Sequence, residues 1–104
     1  MEDLNVVIAG SAGEGVQTVG EVFAETAAAQ GYAVFTWKEY ESRIRGGQNR
    51  YSIRVGEQPN NAPLLRADVL LALNKEAAKK YQGLLKKEGV LVAQDEGKEG
   101  VIAI

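Results

Sequence analysis

The sequence predicts an α/β fold, a three-layer α/β/α sandwich around a largely parallel, mixed sheet. Three observations carry this. Short apolar runs at Leu4–Ala9 and Asp68–Leu73 have the β-branched, unalternating character of strands buried on both faces. Segments with apolar residues on one helical face separate such runs, at 15–30 and 75–87. The first strand passes into the first helix through a glycine-rich loop, Gly10-Ser11-Ala12-Gly13-Glu14-Gly15. Alternation of this kind puts helices on the faces of a sheet.

Leu4 to Ala9 is the first strand. The helix from Gly15 to Gln30 sets Val16, Gly20, Phe23 and Ala27 on one face, and Gly31 ends it as the residue after the cap. Ala33 to Trp37 reads as a second strand. A polar stretch from Lys38 to Asn49 follows, with Gly46-Gly47 as a turn signal. Arg50 to Val55 alternates polar and apolar, the pattern of a half-exposed strand. Its partner is the second strand, reached by a long connection, or it lies at a sheet edge. Gly56 to Pro63 is a loop, and Asp68 to Leu73 a buried strand ending at Asn74.

Lys75 to Lys87 is expected as an amphipathic helix, with Ala77, Ala78, Tyr81, Leu84 and Leu85 on one face. Lys86 and Lys87 suit the negative end of its dipole, and Gly89 stops it. Gly89 to Ala93 and Gly100 to Ile104 read as further strands. Repeats, low-complexity tracts and linkers are absent from the sequence. The order is Rossmann-like. The last residues, Val101-Ile102-Ala103-Ile104, form an apolar strand with no closing helix, so residues 1–104 are expected to be one truncated domain, a fragment of a longer polypeptide.

Composition narrows the function classes. The 104 residues include 45% hydrophobic residues, enough for a core and too many for a disordered chain. A net charge of −2 disfavours nucleic acid as a partner of the whole surface. There is no apolar run of about 18 residues, the length that crosses a bilayer, and the N-terminus begins acidic with Glu2 and Asp3. A cytoplasmic protein without a membrane partner is expected. The sequence holds no Cys and no His. Thiolate-held iron–sulfur clusters, disulfides and zinc fingers are therefore excluded from this chain, and the commonest general base is missing. Redox chemistry has to occur on a partner or a bound cofactor.

The glycine loop is the first candidate site. Strand, loop and helix start bring backbone N–H groups and the positive end of a helix dipole to one place, and missing Cβ atoms allow close approach. The spacing is G-x-x-G-x-G, not the dinucleotide fingerprint G-x-G-x-x-G, and the Lys-Ser/Thr ending of a P-loop is absent. Glu14 sits inside the loop, where a carboxylate would repel a phosphate. An anion or cofactor contact at Gly10, Ser11, Gly13 and Gly15 and a purely structural tight turn both fit.

The second candidate is the segment from Tyr40 to Arg50, which holds Arg43, Arg45 and the pair Gly46-Gly47. All five arginines of the chain lie between residues 43 and 66. Guanidinium forks suit carboxylates and phosphates, and interfacial pairs, better than lysine does. Arg43 and Arg45 are therefore candidate cofactor or interface residues. A solvated loop with Glu39 and Glu41 pairing locally is the plain alternative.

Three motifs together carry a resemblance. Gly10-Ser11-Ala12-Gly13-Glu14-Gly15-Val16-Gln17-Thr18 resembles the glycine-rich opening of the gamma domain of 2-oxoacid:ferredoxin oxidoreductases. Glu39-Tyr40-Glu41-Ser42-Arg43-Ile44-Arg45-Gly46-Gly47 resembles the second signature of that domain, and Asp68-Val69-Leu70-Leu71-Ala72-Leu73-Asn74 the third. The Ser-Arg-Ile-Arg-Gly-Gly wording is most like enzymes of the 2-oxoglutarate type, where the gamma domain forms the N-terminal part of a fused alpha subunit.

The resemblance implies part of a larger enzyme. Such enzymes decarboxylate a 2-oxoacid oxidatively, form the acyl-coenzyme A and reduce ferredoxin. Thiamine diphosphate, magnesium and the iron–sulfur cluster would lie in partner alpha and beta domains or subunits, with coenzyme A as co-substrate. This domain would help build the subunit interface and the access route for coenzyme A, and the chain alone would be inactive. Glu14 stands where many relatives have glutamine. Two other readings remain open. One is a nucleotide-binding Rossmann module, with Gly10, Gly13 and Gly15 at the pyrophosphate and Glu39 at a ribose. The other is a non-catalytic assembly domain.

Overall fold

A computed structural model describes residues 3–40 and 47–93, and the backbone of 101–103. The elements are β1 (Leu4–Ser11), α1 (Val16–Ala29), β2 (Ala33–Tyr40), β3 (Gln48–Gly56), β4 (Ala67–Ala72), α2 (Lys75–Tyr81), a 3-10 turn (Gln82–Leu84), β5 (Leu85–Ala93) and β6 (Val101–Ala103). The strands form one mixed sheet in the order β2-β3-β1-β4-β5-β6. β1, β4, β5 and β6 pair in parallel, while β3 runs antiparallel to both of its neighbours, β1 and β2.

The strand period of two divides the core between two layers. Ile8 of β1 packs with Val16 of α1 and with Tyr51, Ile53 and Val55 of β3. Its neighbours Val7 and Ala9 point to the other face and meet Leu70, Ala72 and Ala77 of α2. α1 and α2 thus cover opposite faces, which is the expected three-layer sandwich. Gly20 makes the α1 layer close. A Cβ there would lie 2.5 Å from the Tyr51 ring, so the helix backbone rests directly on the tyrosine.

Three expectations are corrected. β3 is neither half-exposed nor an edge: it sits between β2 and β1, and β2 is the edge strand. Its alternate polar residues stay close to the sheet because Arg50 pairs with Glu39, and Arg54 pairs with Asp3 at 2.7 Å while donating to the Ala62 carbonyl at 2.7 Å. Ser52 between them is buried. The second helix stops at Tyr81, and Lys86 and Lys87 belong to β5. Leu85 already pairs with Ala67, Lys86 bonds Asp68 at 3.0 Å, and the register shifts before Val69, so the stretch up to Gly89 is an irregular strand entry. Phe23 is 40% exposed, on the outer side of α1.

Below the sheet, the loop from Glu57 to Arg66 is tied by Asn5, which is 1% exposed. Its Nδ2 donates to the Leu64 and Arg66 carbonyls at 3.3 and 2.9 Å, and its backbone N–H donates to Asp68 at 2.8 Å. Among the described residues no helix is long and apolar enough to cross a membrane.

Candidate functional site

β1 runs on past Ala9 to Ser11 and delivers the glycine loop to the carboxyl end of the parallel strands, where ligands of open α/β sheets bind. The Glu14 N–H donates to the Ser11 carbonyl at 3.1 Å and closes a tight turn. Gly13 and Gly15 have φ of 89° and 88°, in the left-handed region that side chains avoid. A Cβ at either would meet nothing within 4 Å, so the dihedral and not crowding calls for glycine. Gly10 is the reverse case: a Cβ there would lie 3.0 Å from both Leu73 Cβ and Val16 Cγ2.

The loop is latched from the far side of the sequence. The Glu14 carboxylate accepts from the Ser11 N–H at 2.5 Å and from Asn74 Nδ2 at 2.6 Å. Asn74 Nδ2 also reaches Ser11 Oγ at 3.2 Å and Gln48 Oε1 at 3.1 Å. Asn74 Oδ1 meanwhile caps α2 by accepting from the Ala77 N–H at 2.7 Å. One amide thus joins β1, β3, β4 and α2. The Ser11 backbone bond, followed by the Asn74 bond, holds the Glu14 carboxyl below the usual carboxylate range.

Beside the loop, on the α1 face, opens a cleft of about 400 Å³. Its walls are the loop, the first turn of α1 at Thr18, Lys38 and Tyr40 of β2, and Tyr51 of β3. Lys38 lies opposite Tyr51 in the β2–β3 register, with its ammonium 5.3 Å from the ring centroid. Gly15 caps α1 without a side-chain hydrogen bond, and the first turn of α1 carries no acidic residue. Glu14 is not among the residues lining the cleft, because its carboxylate turns to Asn74.

Ser11, Gly13 and Gly15 border this cleft, while Gly10 is packed behind it. The Ser11 N–H is already taken by Glu14. Arg43, Arg45 and Gly46 lie outside the described residues. The flanking Tyr40 is 66% exposed at the cleft wall. Arg50 lies over Tyr81 of α2, at 5.3 Å, and Arg66 donates to the Gly83 carbonyl at 2.9 Å. Sequence reasoning missed Lys38 and Tyr51. The strand period was the available signal, since it places 38, 40 and 51 on one face once β2 is extended to Tyr40.

Among the described residues no group of three or more His, Cys, Asp or Glu could hold a metal ion.

Comparison with known proteins fits this fold and loop. Over 80 residues the chain is 39% identical to the 2-oxoglutarate synthase subunit KorC of Archaeoglobus fulgidus, a match covering 76% of this chain and 43% of that one. It is 29% identical over 92 residues to subunit alpha of 2-oxoacid:ferredoxin oxidoreductase 2 of Aeropyrum pernix, covering 88% of this chain and 14% of that protein. The structure of 2-oxoglutarate:ferredoxin oxidoreductase from Magnetococcus marinus with 2-oxoglutarate, coenzyme A and succinyl-CoA bound matches 99% of this chain and 19% of that chain. The TM-score is 0.81 and the identity 30%. The chain thus spans less than half the length of these relatives. The family model of pyruvate ferredoxin/flavodoxin oxidoreductase matches residues 5–102, from the first strand through the last, and the chain belongs to that family.

Proposed function

We propose that residues 1–104 act as a single, partial gamma-type domain of a cytoplasmic 2-oxoacid:ferredoxin oxidoreductase, with 2-oxoglutarate the favoured substrate. The observation that carries this reading is the match of nearly the whole chain to the Magnetococcus marinus enzyme at 30% identity. KorC, named for 2-oxoglutarate, supports the substrate. The domain serves assembly with alpha and beta partners and the access of coenzyme A; ferredoxin is met through the complex. Thiamine diphosphate, magnesium and the iron–sulfur cluster belong to those partners, in keeping with a sequence that has no Cys. Gly13 and Gly15, with Gly10 and Ser11 shaping the loop behind them, and Arg43 and Arg45 are the residues assigned to coenzyme A or to the interface.

The test is purification of the tagged protein from its host together with whatever binds it. The complex is expected to reduce a viologen dye only when 2-oxoglutarate and coenzyme A are both supplied, and the isolated chain to show no turnover. A complex inactive with every 2-oxoacid, or an isolated chain that turns over, overturns the reading.

A further inference from the structure

We infer that Asn74 is a positioning residue for a phosphate-bearing co-substrate: its side-chain amide holds the Glu14 carboxylate out of the cleft beside the glycine loop. This rests on the reading that the loop borders the route of coenzyme A. Every residue from Ser11 to Thr18 lines the cleft except Glu14, and Glu14 is the one charged residue among them. The charged residues that do line it, Lys38 and Arg50, are basic. Among the described residues the wall thus carries no carboxylate. Packing does not force this arrangement. Glu14 is exposed, and a Cβ on either neighbour, Gly13 or Gly15, would meet nothing within 4 Å. Two hydrogen bonds hold the carboxylate instead, from the Ser11 N–H at 2.5 Å and from Asn74 Nδ2 at 2.6 Å.

The α2 cap explains why an asparagine does this. Asn74 Oδ1 accepts from the Ala77 N–H at 2.7 Å, which fixes the plane of the amide. With the oxygen committed to the helix, Nδ2 faces Ser11 and Glu14 of the loop. Aspartate would cap α2 equally well but would set a like charge against Glu14. Serine would cap it with a side chain too short to reach Glu14. Without the Asn74 amide, only the bond from the Ser11 N–H restrains the carboxylate. Its flexible side chain then swings the charge to the mouth of the cleft, where it repels a phosphate. Asn74 therefore acts through Glu14, on the charge that an incoming anion meets.

The test uses the assembled complex, purified with the tagged protein and assayed by viologen reduction with coenzyme A varied at saturating 2-oxoglutarate. Asn74→Ser should raise the KM for coenzyme A about three- to tenfold at low ionic strength, and less at high salt, as one negative charge set near several others does. The kcat and the KM for 2-oxoglutarate should stay at the parent values. Adding Glu14→Gln to Asn74→Ser should bring the KM back towards the parent, although the double variant has lost both charge-assisted bonds. A residue that only braces the fold gives no such reversal. Glu14→Asp, at an exposed position, keeps the charge, shortens the reach to Asn74 and leaves the α2 cap untouched. It should raise the KM in the same way, and it replaces Asn74→Ser where that variant does not assemble. An unmoved KM in the assembled variant, or a rise that Glu14→Gln does not reverse, overturns the inference alone. A wild-type complex whose turnover ignores coenzyme A overturns it together with the reading it rests on.

Discussion

The side-chain amide of Asn74 donates to the Glu14 carboxylate at 2.6 Å and bridges 60 residues of sequence. It links the end of β4 to the turn that follows β1. Asn74 Nδ2 has two hydrogens and faces three acceptors, so one hydrogen is shared. Glu14 in turn supplies the negative charge that the Ser11 N–H would otherwise seek from outside. The loop is therefore shaped by its own carboxylate, which turns to Ser11 and Asn74 and away from the cleft.

Asn74→Asp separates the two jobs of this residue. The aspartate can still accept from the Ala77 N–H and cap α2, but it offers no donor and sets a second negative charge against Glu14. A loss of about 1–3 kcal/mol is expected at neutral pH, the cost of a broken charge-assisted hydrogen bond, with a smaller loss in acid. Urea denaturation at the two pH values measures it. Equal stability of variant and parent at neutral pH would show that Asn74 serves only as a cap.

The Glu14 carboxyl titrates below its ordinary value in the folded chain, chiefly because of the Ser11 N–H and then Asn74. A depressed folded value means that the stabilisation is present above the unfolded value. It is lost as pH falls through the folded one. Glu14→Gln should thus be less stable than the parent at neutral pH, with the gap closing below the usual carboxylate range. Denaturation midpoints of the two proteins across the acid range give the answer; a gap that does not change with pH would rule out the linkage.

Gly20 and Gly13 are predicted to fail for different reasons. Helix propensity alone favours Gly20→Ala by roughly 1 kcal/mol. A Cβ 2.5 Å from the Tyr51 ring reverses the sign, so the variant should melt lower than the parent. Gly13 has open space but φ of 89°. Gly13→Val should cost about 1–3 kcal/mol in backbone strain, and Gly13→Asn less, because asparagine tolerates the left-handed region. Thermal melts that rank Asn below Val at position 13 would contradict this cause.

Asn5 offers a test of the lower end of the sheet. Asn5→Leu conserves approximate volume but leaves the Leu64 and Arg66 carbonyls without their donor. Removing one partner of a buried hydrogen bond costs about 1–3 kcal/mol. Urea denaturation should show that loss, together with faster proteolysis within residues 57–66. A variant as stable and protected as the parent would mean that the loop is held by Arg54 and its bond to Ala62.

How far the sequence reveals this molecule depends on which interactions decide each element. The β1–loop–α1 unit was legible because its signals are local: an apolar run, three glycines and a helical face ending at Gly31. Its strand is two residues longer than the apolar run because pairing with Asn49 and Gln48 of β3 carries Gly10 and Ser11 along. The stretch through Lys86 and Lys87 has a helical pattern, yet pairing of Leu85 with Ala67 and the Lys86–Asp68 ion pair draw it into β5. Those are long-range contacts with no local mark. Arg50 and Arg54 suggested exposure in β3, but Arg54 finds Asp3 51 residues away, and Arg50 finds Glu39 across the β2–β3 pairing. Tyr51 reads as core in any pattern. Only the fold places it also at the wall of the cleft.

The last prediction concerns Arg43 and Arg45, which lie outside the described residues. Their flanks are informative. The described chain leaves β2 at Tyr40 and returns at Gly47, whose φ of 66° starts it towards β3. Tyr40 pairs with Asn49, and Gln48 pairs with Ser11 of the glycine loop, so both flanks belong to the rim that bears the cleft. Two guanidinium forks in the sequence between those flanks suit a carboxylate of a partner or the phosphates of coenzyme A. Arg43→Ala/Arg45→Ala should leave the melting temperature of the chain unchanged. In the assembled enzyme it should weaken subunit association or raise the KM for coenzyme A, with a larger effect at low salt, as expected for charge contacts. Steady-state kinetics and size-exclusion chromatography of the complex measure the two. Unchanged association and unchanged coenzyme A kinetics in the double variant would return the segment to an ordinary solvated loop.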